Sequence, residues 1–320
     1  TIIISIILFI IGYLVIYFAA DIFLDNLKAL SVLYGISPFV IGALLIGIDP
    51  EESIASVIAA INGLSNIAIG NVIGNSVFAL TISFAIPTLF YRIEFKSIPQ
   101  FYFILLYFCL FLIILEILLN FGIFFGILAI LVYTLYLIRN IKQSFKETYK
   151  ELDLNVDVKE DYQNKKKSDV GSKSKKIFLI IVSFISIFLG GELLIYASER
   201  IITQTNIPET FFGLVIIAFV TNVEELTLVI KSIKKKTVEI GLGGMIGKVI
   251  WNLTLTFGIS SIFINNLQFL WILFWSWVLL SIIILYFNYS SRKRNLVKRD
   301  GIILIILLLS FLIINFTVVV

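Results

Sequence analysis

Ten nearly unbroken apolar stretches, at residues 2–20, 37–61, 67–91, 99–118, 122–139, 177–196, 208–231, 238–263, 267–288 and 301–320, alternate with polar segments along the chain. Each has about the 20 residues that an α-helix needs to cross the hydrocarbon of a bilayer. The pattern predicts an all-α integral membrane protein of about ten transmembrane helices. One polar segment is longer than the rest: Asn140 to Lys176, rich in Lys, Glu, Asp, Ser and Asn, reads as a solvated linker. It divides the chain into a first set of five helices over 1–139 and a second over 177–320.

Composition identifies the solvent. Of 320 residues, 59% are hydrophobic, and the mean hydropathy is +1.04, more than a soluble domain can hide in its core. Only 14% are charged, most of them in the loops. Arg92 and Lys96, the 140–176 linker, Lys231 with Lys234 to Lys236, and Arg292 to Arg299 fall on one side of the membrane when the spans alternate. The opposite loops, near 62–66, 120, 200–208 and 265–268, carry Arg200 and almost no other basic residue. Positive charge marks the cytoplasmic side, so a multi-pass cell-membrane protein is expected, with a cytoplasmic linker and both termini outside. Ile2 to Ala20 runs long for a signal sequence and lacks a preceding basic region; the chain begins at Thr1, and its start reads as trimmed. Without histidine, a histidine-ligated zinc or haem site is excluded, and proton coupling would fall to carboxylates or lysines. The single cysteine, Cys109, has no internal disulfide partner and reads as a packed or lipid-facing thiol.

The halves resemble each other. Asp21 stands in the first where Glu192 stands in the second, and Gly42 and Gly213 follow at the same interval. After a two-residue shift, Asp49-Pro50-Glu51-Glu52 faces Asn222-Val223-Glu224-Glu225, and Gly70-Asn71-Val72-Ile73-Gly74-Asn75 faces Gly243-Gly244-Met245-Ile246-Gly247-Lys248. With five spans per half, an odd number, the second copy enters the membrane from the other side, so inverted five-helix repeats are expected. Such repeats suit a transporter whose bundles rock around a site at their junction.

Glu51, Glu52, Glu224 and Glu225 lie inside apolar stretches, where an ionised side chain costs several kcal/mol unless it is paired or wetted. One reading is a metal-cation site with a carboxylate from each half, since Ca2+ and Na+ prefer oxygen ligands; the other is salt bridging within the bundle. Helical spacing places Asp49, Glu52 and Ser56 on one face, and Thr221, Glu225 and the Asn222 backbone on the matching face. Glu52 and Glu225 are therefore the expected central ligands, with Glu51 and Glu224 secondary, at the wall or mouth. Pro50 either frees backbone carbonyls for an ion or simply kinks its helix. Gly70 and Gly74, like Gly243 and Gly247, have the spacing that allows close helix approach. Asn71 with Asn75, and Lys248 with Asn252, share equivalent faces and either complete the ligand set or join helices by hydrogen bonds.

Both segments resemble the alpha repeats of the calcium/cation antiporter superfamily, which includes the sodium/calcium exchangers. That family carries a Gly-Thr-Ser-Leu-Pro-Glu stretch in one helix of each repeat and a Gly-Asn-x-Ile-Gly-Ser-Asn-like stretch in the next. Here Val220-Thr221-Asn222-Val223-Glu224-Glu225 and Gly70-Asn71-Val72-Ile73-Gly74-Asn75 carry the likeness. It implies that Glu52 and Glu225 take the places of the two ion-binding glutamates, and Thr221 that of a sodium-binding threonine. It further implies secondary antiport of Ca2+ or a related cation against Na+ or H+, by alternating access. A transporter rather than an enzyme is expected, with no cofactor beyond the transported ions, and with the lipid bilayer and inorganic cations, but no nucleic acid, as partners. No ATP-binding loop is visible.

The chain departs from the pattern in several places. The first motif shortens to Gly47-Ile48-Asp49-Pro50-Glu51-Glu52, where Asp49 substitutes an acidic ligand for a lost Thr-Ser pair. Lys248 occupies a serine position, Asn252 stands where some exchangers have aspartate, and Ala79 replaces its first-half counterpart. A lysine there would act as a tethered cation or take part in proton coupling, unless it snorkels to the cytoplasmic side. The alternative function is a non-transporting or altered-specificity member of the same fold, its carboxylates neutralised by Lys248; a channel fits inverted repeats less well.

Overall fold

A computed structural model describes residues 2–33, 50–95, 98–154, 173–234, 238–264, 267 and 270–317, which are helical almost throughout. The first half holds α1 (Ile2–Leu33), α2 (Pro50–Ile61), α3 (Ser65–Phe90), α4 (Gln100–Leu119) and α5 (Gly122–Leu154). The second holds α6 (Lys173–Thr205), α7 (Glu209–Thr221) and α8 (Val223–Lys234). It continues with α9, in which a π-helical turn, Asn252–Thr256, joins Val238–Trp251 to Phe257–Phe263. The last helices are α10 (Trp271–Lys293) and α11 (Lys298–Phe316). Among the described residues, eight helices are long and apolar enough to cross a bilayer, and α2 and α7 are shorter apolar helices. The chain is thus an all-α, multi-pass membrane protein. The apolar stretch 208–231 is not one helix: it breaks at Asn222 into α7 and α8. Helix also extends into the polar 140–176 segment from both sides, through Leu154 and from Lys173, while 155–172 lie outside the described residues.

Loop contacts sort the two ends of the bundle. Ile93–Glu94 (β1, after α3) pairs antiparallel with Asn295–Leu296 (β2, after α10), so the Arg92 and Arg292–Arg299 loops share one end. At the other end, Asn120 exchanges hydrogen bonds with the Leu267 backbone. Gly63, Ser65, Asn66, Pro208, Glu209, Thr210 and Leu270 line a cleft of about 340 Å3 there. Gln204 donates to Ser5 at 3.4 Å, and the rings of Phe211 and Phe316 lie 5.0 Å apart, so the two ends of the described chain lie beside these basic-poor loops. The end of α2 and the start of α7 meet at this same cleft, so the two helices run in opposite directions.

The bundle turns apolar faces outward, with Ile3, Ile104, Leu135, Phe178, Leu189 and Ile313 all exposed, as hydrocarbon solvent allows. The interior is organised around α3, most of whose residues are buried. Its glycines permit this. A Cβ on Gly74 would lie 2.1 Å from the Leu214 carbonyl oxygen of α7, and one on Gly70 3.1 Å from the Leu214 nitrogen. Close backbone approach maximises van der Waals contact where lipid supplies no hydrophobic drive between helices. The obstructing atoms belong to backbone and cannot swing aside. Gly74→Leu should therefore cost at least roughly 1–3 kcal/mol, read as a lower unfolding midpoint in detergent, and an unchanged midpoint would refute the close-contact role. Gly243 differs: among the described residues, a Cβ there meets nothing within 4 Å.

Candidate functional site

Five elements converge in the interior: α2, α3, the α7–α8 break, α8 and α9. Pro50 is the first described residue of α2, a position that suits its fixed φ and missing N–H. Close behind it in the first turn, Glu52 is 0% exposed. Asn222, with φ −98° and ψ 5°, ends α7 without a proline, and α8 starts directly after it with Glu225 only 6% exposed. Lys248 on α9, 3% exposed, lies between the two acids. Its Nζ is 2.8 Å from Glu52 Oε1 and also bonds Glu225 Oε1. The ammonium thus bridges one glutamate from each half of the chain, and does not run along its helix toward the membrane surface.

Amides complete the surroundings of Glu52. Asn222 Nδ2 donates to Oε1 at 3.2 Å, and Asn252 Nδ2 donates to Oε2 at 2.8 Å. The amide oxygens of Asn222 and Asn252 are buried and have no hydrogen-bond partner among the described residues. Such oxygens are costly unless a donor or a cation meets their lone pairs. On α3, Asn75 Oδ1 accepts from Thr221 Oγ1 at 2.8 Å and from Asn222 Nδ2 at 2.6 Å, while its Nδ2 donates to Asn71. Turned over, the Asn75 amide would donate to Glu52 Oε1 at 3.1 Å, so this side chain is able to offer the carboxylate either a donor or a neighbouring oxygen. Asn71 stands one layer back, donating to Ser56 Oγ at 2.8 Å and to the Glu52 carbonyl at 3.3 Å.

The sequence singles out Glu52, Glu225, Thr221, Asn222, Asn71, Asn75, Asn252 and Lys248 as members of one site, and all eight meet in this network. Asp49 and the side chains of Glu51 and Glu224 lie outside the described residues. Sequence reasoning misses three residues behind the cluster: Ser53 meets Thr256 at 2.6 Å and receives the Trp251 indole N–H at 2.6 Å, fastening α2 to α9. Ser53 follows a singled-out glutamate and Thr256 lies one turn beyond Asn252, and that adjacency is the available signal. Glu116 on α4 is missed too; it is fully buried, with no hydrogen-bond partner among the described residues for either carboxylate oxygen.

Chemically, the cluster is a buried polar core of two carboxylates, one ammonium and several neutral oxygens. Among the described residues there is no group of three or more His, Cys, Asp or Glu placed to hold a metal ion. A cation entering would take two carboxylates and supplementary amide or hydroxyl oxygens, and would have to contend with Lys248 for both acids.

The sequence profile of the family described as "Sodium/calcium exchanger protein" matches residues 4–142 and 175–317. The sodium/calcium exchanger MaX1 of Methanosarcina acetivorans is 24% identical over 147 residues, which is 46% of this chain and 42% of that protein. The match therefore spans less than half of that relative. Solved structures of the sodium-calcium exchanger NCX_Mj share the fold. One, soaked with 2.5 mM Na+ and 10 mM Sr2+, superposes with a TM-score of 0.55 at 17% identity, over 97% of this chain and 98% of that one. Another, soaked with 10 mM Na+ and zero Ca2+, gives a TM-score of 0.54 at 17% identity, over 96% and 97%.

Proposed function

The chain belongs to the sodium/calcium exchanger protein family, and from that premise we propose a secondary active antiporter exchanging Ca2+ or a related cation for Na+ or H+. The observation that supports this reading most is the meeting of Glu52 and Glu225, one from each half, around a single positive charge in the buried interior. In this reading the two glutamates are the central ligands, and Asn222, Asn252, Asn75, Asn71 and Thr221 supply neutral oxygens. Asp49 adds an acidic ligand, and Pro50, Glu51 and Glu224 have secondary roles at the site's edge. The halves act as inverted repeats that rock about the site, opening it first to one side and then to the other. Ions from the two sides compete for the same carboxylates, so an ion released on one side can be replaced there by its counter-ion.

Flux in proteoliposomes, with Ca2+, Na+, K+ and pH gradients varied separately, tests the proposal. The expected result is uptake of Ca2+ or a related cation driven by an outward Na+ or H+ gradient. Absence of flux under every gradient would overturn it. The lysine bridge favours a second reading, a family member that no longer transports because its acids are satisfied internally. Thermal stabilisation by Ca2+ or Na+ that disappears in Glu225→Gln supports the first reading, and cation-independent stability supports the second.

A further inference from the structure

We infer that Lys248 lets the carrier recross the membrane without inorganic cargo, so that transport by this chain is not obligatorily coupled to a counter-ion. This inference rests on the reading that the Glu52–Glu225 site carries cations.

Strict exchange needs a penalty on the cargo-free crossing. In a site with two carboxylates and no cation of its own, releasing the ion leaves two uncompensated negative charges in a low-dielectric interior. The protein then waits for a replacement ion before it reorients. The site here contains its own replacement. The Lys248 ammonium lies 2.8 Å from Glu52 Oε1 and bonds Glu225 Oε1, so one side chain serves both acids. Asn222 and Asn252 donate to the two oxygens of Glu52, which gives each of them a donor from the chain itself. The result is a cluster that, with no ion from solution, carries about one uncompensated negative charge instead of two, so the cargo-free crossing is penalised far less.

The lysine is also suited to yield. Its charge is a compact ammonium on a flexible four-carbon stem rather than a planar fork locked to one carboxylate. Two buried amide oxygens, on Asn222 and Asn252, have no hydrogen-bond partner among the described residues and stand beside the acids. They offer acceptors either to a displaced ammonium or to the cation that displaces it. The cycle then has two low-cost crossings: one with an inorganic cation on the glutamates and the ammonium moved aside, and one with the ammonium returned. A downhill cation gradient alone is enough to turn it.

Vesicles containing the whole chain, loaded with radiolabelled Ca2+ or Na+ and clamped in potential with K+ and valinomycin, provide the test. Efflux into buffer free of Ca2+ and Na+, with only the clamping K+ present, is compared with efflux into the same buffer holding a saturating concentration of the labelled cation. The quantity read is the ratio of the two rates within each protein, so a change in absolute rate does not enter. For the native chain the ratio should lie within about twofold of one, and in Lys248→Gln it should fall at least about tenfold, equivalent to about 1.4 kcal/mol on the cargo-free crossing. A native ratio near zero overturns the inference and leaves the transport reading standing. A Lys248→Gln ratio equal to the native one overturns the role of the lysine. Should neither Lys248→Gln nor Lys248→Ser carry label in either buffer, the lysine is needed for carriage itself, and the inference also fails. No flux from the native chain in either buffer defeats the transport reading instead.

Discussion

Glu52→Gln is expected to reduce cation flux to the level of protein-free vesicles, at least about 100-fold below the native chain, while leaving the fold intact. The change removes one negative charge and no volume. Lys248 and Glu225 are then left as a neutral pair, with no net negative charge between them to hold an incoming cation. The fold should survive because the surrounding amides can adapt. The oxygen of the substituted side chain still accepts from Lys248 and Asn222. Its new N–H2 meets Asn252, whose own oxygen has no hydrogen-bond partner among the described residues and becomes the acceptor when that amide turns over. Flux and unfolding midpoint are measured together. Retained flux would remove Glu52 from the transport path.

Lys248→Met should be the most destabilising single change in the cluster, by roughly 3–5 kcal/mol, because it leaves two buried carboxylates without their shared counter-charge. The expected remedy distinguishes this from a loss of packing. Neutralising the acids as well, in the triple variant Glu52→Gln, Glu225→Gln, Lys248→Met, should recover most of the loss, since a neutral well-packed cluster is often as stable as the ionic one. Millimolar Ca2+ or Na+ should restore part of the midpoint in the single variant and none in the triple. Thermal unfolding in detergent reads all of these. A Lys248→Met protein as stable as the native chain without added cation would show that the acids are not charged in the folded state.

Much of the architecture was legible because hydrocarbon imposes a simple rule. A helix that crosses it needs a long apolar run, and charges collect in the loops, so the pattern of stretches predicted the helices and the grouping of the loops. The β1–β2 pair collects basic loops at one end, while the Asn120–Leu267 contact and the 340 Å3 cleft collect the basic-poor loops at the other. The site was legible for the same reason: acids and a lysine inside apolar stretches stand out against their background. Features set by packing rather than composition were not legible. Nothing in Val220-Thr221-Asn222 announces a helix break, since no proline or glycine marks it, and Gly243 has the spacing of a contact glycine without making a contact among the described residues. The π-helical turns at Phe212–Ile217 and Asn252–Thr256 leave no trace in mean hydropathy, which does not depend on how many residues make a turn.

The second of these turns acts as a phase shifter. A π turn inserts about one surplus residue, and each residue of an α-helix advances the azimuth by about 100°, so the part of α9 after Thr256 is rotated by about that angle from where an uninterrupted coil would have left it. Asn252 can therefore aim at Glu52 while Gly258, a few residues later, abuts the Gly126 carbonyl of α5, where a Cβ would come within 2.8 Å. A single rod thus presents its chemistry to one neighbour and its anchorage to another, with the π turn setting the angle between the two bearings.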